Sequence, residues 1–443
     1  MIRNRDPSVR TIGSGAGFAG DRVDPAVAIA SSGLVDTMAL ECLAERTLVP
    51  GLRARKANAS AGADQRLRRR LAPLLPVARD NGVRIISNLG SANPAAAAWQ
   101  IAALARDAGC AGLRVAGVVG DDVMALRDKI AWVTPLRGDL LGAHAYLGCD
   151  PIVEAIERGA EVVVTGRSAD SALFSADAVA ILNNHPDALA GATTVGHLLE
   201  CSGQVTGGNY EGPGGVSLAA EDYADLGFPI AKVFPDGSAE IFLLEGKRGF
   251  VDRLTCTLQL LYEVNDPAAY MTPDVIIDFT DITIEEIGLN RVRVSGARAR
   301  GRPQTLKVSG FVDLPGFVAD CEIGYAGTHA VRRARIAADT LRRRLADIPD
   351  DDIRIDIVGV NSILGGASLP AGGEPAEARV HVSAHCADAE MAQIVEDEVY
   401  ALTLSGPASA GSVRSERRPR LDVVDGFVDR DLVKTSLIWA DQA

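Results

Sequence analysis

GAEVVVTGRSADSALFSADAVAI, residues Gly159–Ile181, is the stretch whose reading decides the fold. Val162, Val163 and Val164 form a β-branched run bounded by glycines, the pattern of a parallel strand covered on both faces. Thr165, Gly166, Arg167, Ser168, Asp170 and Ser171 follow at once, so the strand runs straight into a cluster of donors and one carboxylate. In open α/β sheets a ligand sits outside the carboxyl ends of the strands, which makes this turn a candidate site. The competing use of the same residues is structural: Ser168 or Asp170 caps the next helix and Arg167 is its surface partner.

Upstream the chain alternates in βαβ fashion. Val9–Ile12 reads as a strand running into GSGAGFAGDR, Gly13–Arg22, where the amides of Gly13, Ser14, Gly15 and Gly17 can approach an anion closely. The spacing is GxGxG, and Pro25 and Gly33 interrupt the helix that a dinucleotide fingerprint needs, so a Rossmann assignment is not supported. Leu34–Leu43 is apolar with Asp36 and Glu41 inside it, and Asp64–Asp80 carries Leu67, Leu71, Leu74 and Ala78 at helical spacing. Val83–Ser87 is a short strand that leaves Asn88 at its carboxyl end. Asn93 and Pro94 then cap and open an alanine-rich helix that Gly109 stops. Leu113–Val119 precedes Asp121 and Asp122. Leu140–Leu147 puts His144 and Tyr146 on one face of a strand, and the helix Pro151–Arg158, capped by Asp150, returns the chain to Val162. Polar residues thus gather at successive strand ends: Ser14, Asn88, Asp121, Cys149 and Asp170.

Beyond the central stretch, His197, Glu200 and Cys201 share a helical face at metal-ligand spacing. No metal is expected there, because no fourth ligand lies nearby in sequence. Glu200 and Asn209 are instead expected to face the ligand, with Cys201 packed as a small hydrophobe. The loop GGNYEGPGG, Gly207–Gly215, can close over a ligand. From about Asp222 the strands alternate as in a half-exposed antiparallel sheet: Ala239–Leu244, Val275–Phe279, Arg291–Ser295 and Lys307–Val312. Two amphipathic helices, Thr328–Ile348 and one marked by Met391, Ile394, Val395, Val399 and Leu402, accompany strands at Asp356–Val360 and Arg379–Ala384. The loops GVNSILGG, Gly359–Gly366, and SGPASAGSV, Ser405–Val413, suit either phosphate or partner binding or a plain linker role. The expected fold is an α/β N-terminal domain with a mainly parallel sheet, residues 1–220, carrying the site. An α+β domain with a mixed or antiparallel sheet, residues 221–443, follows with an interaction and ligand-closing role.

Composition narrows the function. A net charge of −13 and a pI near 5.0 argue against nucleic acid or an anionic membrane as partner. Seven cysteines without a CxxC pair suit reduced thiols rather than a disulfide framework. No apolar run is long enough for a signal peptide or a membrane span, so a soluble cytoplasmic protein is expected. The absence of a GxSxG elbow, with no histidine in a recognisable relation to Ser168 or Cys149, argues against a serine or cysteine hydrolase.

The ordered segments GSGAGFAGDR, SNLGSANP, AYLGCDPI, VTGRSADSAL, HLLECSGQVTGGNY, GFPIAKV and QLLYEVNDPAAYMTPDV resemble the AtuA-like family of acyclic terpene utilisation proteins over nearly the whole chain. The resemblance implies a metabolic enzyme standing beside acyl-CoA carboxylases, dehydrogenases and hydratases in the catabolism of branched or terpenoid acids. Longer relatives carry an extra ferredoxin-like module, so a separate small ferredoxin-like subunit is expected here, together with homo-oligomerisation. This chain departs from the pattern at KRGFVD, Lys247–Asp252, and at NLGS, Asn88–Ser91, so terpene substrates are not carried over.

The expected activity is that of a lyase or hydro-lyase on a carboxylic acid, with coenzyme A as part of the substrate and no other cofactor nominated. Such chemistry needs a base for the proton α to a carbonyl and groups that hold the enolate. Asp170, Arg167 and Asp21 are the catalytic candidates. Gly13, Ser14, Gly15, Gly17, Asn88, Ser168, Glu200 and Asn209 are the substrate-binding ones. The alternative is a non-catalytic subunit that binds an acyl-CoA or organises a carboxylase complex.

Overall fold

The computed structural model describes residues 6–212, 215, 217–365 and 374–440. Parts of the 207–215 and 359–366 loops lie outside the described residues. The chain opens with β1 (Arg10–Ala16), α1 (Asp24–Ser31), β2 (Thr37–Leu40), α2 (Glu45–Ala57), α3 (Leu67–Asn81), β3 (Arg84–Ser87), α4 (Pro94–Asp107) and β4 (Val115–Val119). The start of α4 follows its expected signals: the Asn93 side chain accepts from the Ala96 amide at 3.1 Å and Pro94 occupies the first turn. At the other end of α3, Gly82 closes the helix at φ +60°, a conformation that favours glycine.

Next come β5 (Ala131–Trp132), β6 (Asp139–Ala145), α5 (Asp150–Glu157), β7 (Val162–Thr165), α6 (Asp170–Ser175), α7 (Pro186–Glu200) and α8 (Ala220–Ala224). Then β8 (Pro229–Val233), β9 (Ala239–Leu243), α9 (Arg253–Leu261), β10 (Tyr270–Met271), β11 (Ile276–Asp278), β12 (Thr283–Gly288), β13 (Arg291–Ser295) and β14 (Arg298–Ala299) follow. The chain finishes with β15 (Thr305–Ala326), α10 (Ala330–Arg344), β16 (Ile353–Val358), β17 (Glu377–Cys386), α11 (Ala389–Ser405), β18 (Ala410–Asp429) and β19 (Ser436–Trp439).

The larger sheet has ten strands in the order β12-β13-β9-β8-β1-β2-β3-β7-β4-β19. Its five central strands, β1, β2, β3, β7 and β4, are parallel, and both flanks are antiparallel. Alternation along the strands sends Val163, Ile86 and Ala39 into one core with Ile152 of α5, Leu173 of α6 and Leu198 of α7. Val162, Val164, Ile85 and Met38 enter the other core with Ile29 of α1, Leu71 of α3 and Ile101 of α4. The valine run of β7 is therefore covered on both faces, as its sequence predicts. Each of its buried valines stabilises the fold by roughly 1.5–3 kcal/mol.

Contacts divide the chain into two compact units: residues 1–134, 141–310 and 424–443, and residues 135–140 and 311–423. The expected division at residue 220 falls inside the first unit, because β8 pairs antiparallel with β1 and draws β9, β13 and β12 into the same sheet. The change from parallel to antiparallel pattern near Asp222 marks a change of strand direction within one sheet. In the second unit β16, β17 and β15 pair antiparallel. Val331, Ala334 and Leu341 of α10 and Val395, Val399 and Leu402 of α11 pack on Ile323, Val380 and Val382 of its strands. Among the described residues no helix is long and apolar enough to cross a membrane.

One element differs from its expected form. β1 does not stop at Ile12 but continues through the glycines to Ala16, with Gly13 in register with Met38 on one side and Ile230 on the other. A β-carbon at Gly13 would lie 2.7 Å from both Ile29 Cγ2 and Met38 Sδ, and one at Gly15 would lie 2.8 Å from Leu40 Cγ. The first two glycines are thus demanded by close packing of a buried strand, and Gly13–Gly15 do not form an open anion-binding loop.

Candidate functional site

The carboxyl ends of β2, β3 and β7 bring Glu41, Asn88 and Arg167 together. The Asn88 Oδ1 accepts from the Cys42 amide at 2.7 Å, and its Nδ2 donates to Glu41 Oε1 at 3.0 Å, where the Leu43 amide also donates at 2.7 Å. The turn after β7 is pinned from β4: the Arg167 amide donates to Asp121 Oδ2 at 2.8 Å, and His144 Nδ1 lies 2.8 Å from the same oxygen. A β-carbon on Gly166 would stand 2.3 Å from that oxygen, so only glycine fits.

Arg167 is buried, at 3% exposure, and is not a surface partner of a helix cap. Its guanidinium donates to the Leu43 carbonyl, lies 3.2 Å from Asp170 Oδ1 and sits 4.1 Å above the centroid of the Tyr146 ring. The Tyr146 hydroxyl donates in turn to Glu45 Oε1. Asp170 is the first residue of α6, and its carboxylate caps no amide there. It opens instead into a cavity of about 450 Å³, lined also by Ser171, His197, Glu200, Tyr270 and Lys307.

Burial raises the Asp170 carboxyl well above the usual carboxylate range, and the neighbouring Glu41, Glu200 and Glu45 add to the shift against the opposing pull of Arg167. Burial likewise raises Glu41, with Arg167 opposing. At Glu45 burial works upward too, but Arg167 and the Tyr146 hydroxyl outweigh it and hold the group low. One cation therefore serves carboxyl groups displaced in opposite directions, a pattern typical of functional sites. Across the cavity, His197 Nδ1 stands 2.7 Å from Glu200 Oε1 and Nε2 stands 3.2 Å from the Leu260 carbonyl. Burial alone would lower the imidazole, but the charge of Glu200 and the hydrogen bonds to Glu200 and the Leu260 carbonyl bring it above its ordinary value.

The sequence candidates separate into three places. Arg167, Asp170, Asn88 and Glu200 belong to the arrangement just described, with the Ser168 hydroxyl buried in the same turn. Gly17, Asp21 and Asn209 line a second cavity of about 400 Å³ together with Phe18, Cys201 and Tyr262. There Asp21 braces a loop: Oδ2 accepts from the Gly17 amide at 2.9 Å and from Ser202 Oγ at 2.5 Å. Burial pushes the Cys201 thiol up to about 12, leaving it protonated at neutral pH. Gly13, Ser14 and Gly15 are enclosed in β1, where Ser14 Oγ donates to the Leu199 carbonyl at 3.0 Å. A further cavity of about 380 Å³ is lined by Arg10, Arg84 and Asp177. It lies toward the amino ends of the strands, and Arg84 and Asp177 there form an ion pair at 2.6 Å.

Glu41, Glu45, Tyr146, Tyr270 and Lys307 escaped the sequence reading as site residues. Glu41 and Tyr146 carried a signal, a carboxylate within an apolar segment and a tyrosine beyond a buried strand. Tyr270 and Lys307 arrive from distant sequence and carried none. Among the described residues, Cys149, Asp150 and Asp274 have potential ligand atoms within 4.8 Å of one another. Asp274 accepts the Cys149 amide with both oxygens, at 2.9 and 3.0 Å, while Asp150 pairs with Arg302. Asp150 is thus the first residue of α5 rather than its cap, and Asp274 holds the amide of Cys149 just ahead of it.

The family model described as acyclic terpene utilisation family protein AtuA matches residues 10–439. The chain belongs to this family. No curated protein and no solved structure matches it. Membership of the acyclic terpene utilisation family ties the chain to a catabolic pathway, and the match spans the strand ends that build the Asp170 cavity.

Proposed function

We propose that the chain is a lyase or hydro-lyase acting on a branched or hydroxylated carboxylic acid presented as its coenzyme A thioester, with Asp170 as the base that removes the proton α to the carbonyl. The observation that carries this reading is the Asp170 carboxyl itself. It faces a cavity, its proton affinity is raised by burial, and its buried partner Arg167 keeps it in place. A base performs best when its affinity for a proton approaches the working pH, and the upward shift moves Asp170 in that direction.

A thioester suits a carboxylate base better than a free acid does, because the α-proton of an ionised acid must leave a fragment that is already negative. Lys307 supplies positive charge on the cavity wall, 5.3 Å from the Tyr146 ring centroid and 3.2 Å from Asp425. It supports the enolate oxygen that develops as the proton leaves. Membership of a catabolic family supports a small metabolite as substrate.

The test is solvent exchange. The purified chain is incubated in D2O with a mass-resolved pool of branched β-hydroxyacyl-CoA and enoyl-CoA thioesters. Deuterium is expected at the α-carbon of at least one component, accompanied by gain or loss of water or by chain cleavage. Asp170→Asn keeps the circular dichroism spectrum and loses the exchange. A pool that binds but neither exchanges nor reacts would remove the catalytic reading and favour an acyl-CoA-binding subunit.

A further inference from the structure

We propose that Tyr270, held by the His197–Glu200 pair, is the general acid that protonates a departing hydroxyl in the Asp170 cavity, which makes the reaction a dehydration or its reverse. The inference rests on Asp170 being the base.

His197 is 1% exposed, and both its ring nitrogens face acceptors: Nδ1 the Glu200 carboxylate at 2.7 Å, Nε2 the Leu260 carbonyl at 3.2 Å. A neutral imidazole has one N–H and would leave one of these acceptors facing a lone pair, so the ring carries both protons. The Tyr270 oxygen is the third group at this point, 3.4 Å from Nδ1. The single Nδ1–H is committed to Glu200, and a protonated Nδ1 offers no lone pair to the phenol, so the proton of Tyr270 is left for the cavity that Tyr270 lines. The phenol is held firmly, with its ring stacked on Phe279 at 5.2 Å between centroids and 5.0 Å from the imidazole. Its strand, β10, is paired to β11 with Tyr270 in register with Ile277. Gln259 Nε2 donates to the His197 carbonyl at 3.0 Å and locks the histidine backbone to α9. Burial, Glu200 and Asp170 all act to keep the phenol protonated at rest, so the acid is loaded before substrate arrives.

The step balances without any further reagent. The Asp170 carboxylate takes the α-proton, and the electron pair of that C–H bond becomes the new carbon–carbon double bond by way of the enolate. The bond from the β-carbon to oxygen breaks with its pair on oxygen, which takes the Tyr270 proton and leaves as water. The phenolate recovers a proton from His197 Nδ1, and the imidazole takes one from solvent in place of the proton that Asp170 returns. Hydration runs through the same states in reverse.

The experiment compares leaving groups. Unaltered chain, Tyr270→Phe and Asp170→Asn are each given β-hydroxyisovaleryl-CoA and β-chlorobutyryl-CoA in D2O. Chloride leaves without a proton. Tyr270→Phe should lose water elimination by about 10²-fold or more while α-deuteration and chloride elimination stay within about 3-fold of the unaltered chain. Asp170→Asn should lose all three. Tyr270→Phe that eliminates water at the unaltered rate, or that loses chloride elimination equally, overturns the assignment. An unaltered chain that neither exchanges nor eliminates defeats the base reading and the acid with it, whereas exchange without water loss in the unaltered chain defeats the acid alone.

Discussion

Replacing Arg167 with methionine tests whether the guanidinium is what keeps the carboxyl cluster together. The side chain is 4% exposed and has three engagements: the Leu43 carbonyl, Asp170 at 3.2 Å and the face of Tyr146 at 4.1 Å. Removing one member of a buried ion pair costs about 3–5 kcal/mol, and a carbonyl left without its donor costs about 1–3 kcal/mol. Two effects reduce the sum. Methionine refills most of the volume, and Asp170, partly open to the cavity, can take up a proton. A net loss of about 3 kcal/mol is expected at neutral pH.

The pH dependence follows from the directions of shift. Asp170 and Glu41 already hold protons more tightly in the folded chain than in the unfolded one, and loss of the cation strengthens that preference. A carboxyl with raised folded affinity weakens the fold as pH climbs from its unfolded value toward its folded one. Glu45, held low by Arg167, would lose the stability it now contributes above the unfolded value. All three effects make the penalty largest at neutral pH and smaller near about pH 4.5. Urea unfolding followed by circular dichroism at both pH values reads this directly. A penalty under about 1 kcal/mol at neutral pH, or one that grows on acidification, would refute the reasoning.

Three other outcomes are expected. The effect of Asp170→Asn on the melting temperature should become more favourable as pH climbs from the usual 3.8 toward neutrality, because it removes a carboxyl whose ionisation opposes folding; an effect equal at every pH would contradict the raised affinity. Gly166→Ala forces a carbon to within 2.3 Å of Asp121 Oδ2 and should cost about 1–3 kcal/mol, read as a lowered urea midpoint, with α-exchange falling alongside it. Asn88→Ala strips the Cys42 amide and Glu41 of a buried partner and should cost about 1–3 kcal/mol; an unchanged melting curve would show that water replaces the amide.

Local pattern was enough to find the parallel core. A β-branched run between glycines has few homes other than a strand buried on both faces, and Asn93, Pro94 and Gly109 act on their own helix ends, so their signals survive in any context. Arg167 and Asp170 were legible because they follow such a strand directly, and the rule that ligands meet strand carboxyl ends needs only the order of elements. The glycines of β1 were misread as a loop because a glycine needed for close packing and one needed for a turn look alike in sequence. Only the positions of Ile29, Met38 and Leu40 separate the two uses.

The edges and the far wall of the site belonged to the tertiary structure. That β8 pairs with β1 and extends one sheet past residue 220 depends on which free edge the later strands meet, and alternation within a strand does not encode its neighbour. Tyr270 and Lys307 lie 100 and 137 residues beyond Asp170 and share its cavity only once the chain has folded, and nothing beside them in sequence marks either as a site residue. The displacement of the Asp170 carboxyl has the same origin: its causes are burial and charges on Glu41, Glu45, Glu200 and Arg167, most of them remote in the chain and brought near only by packing.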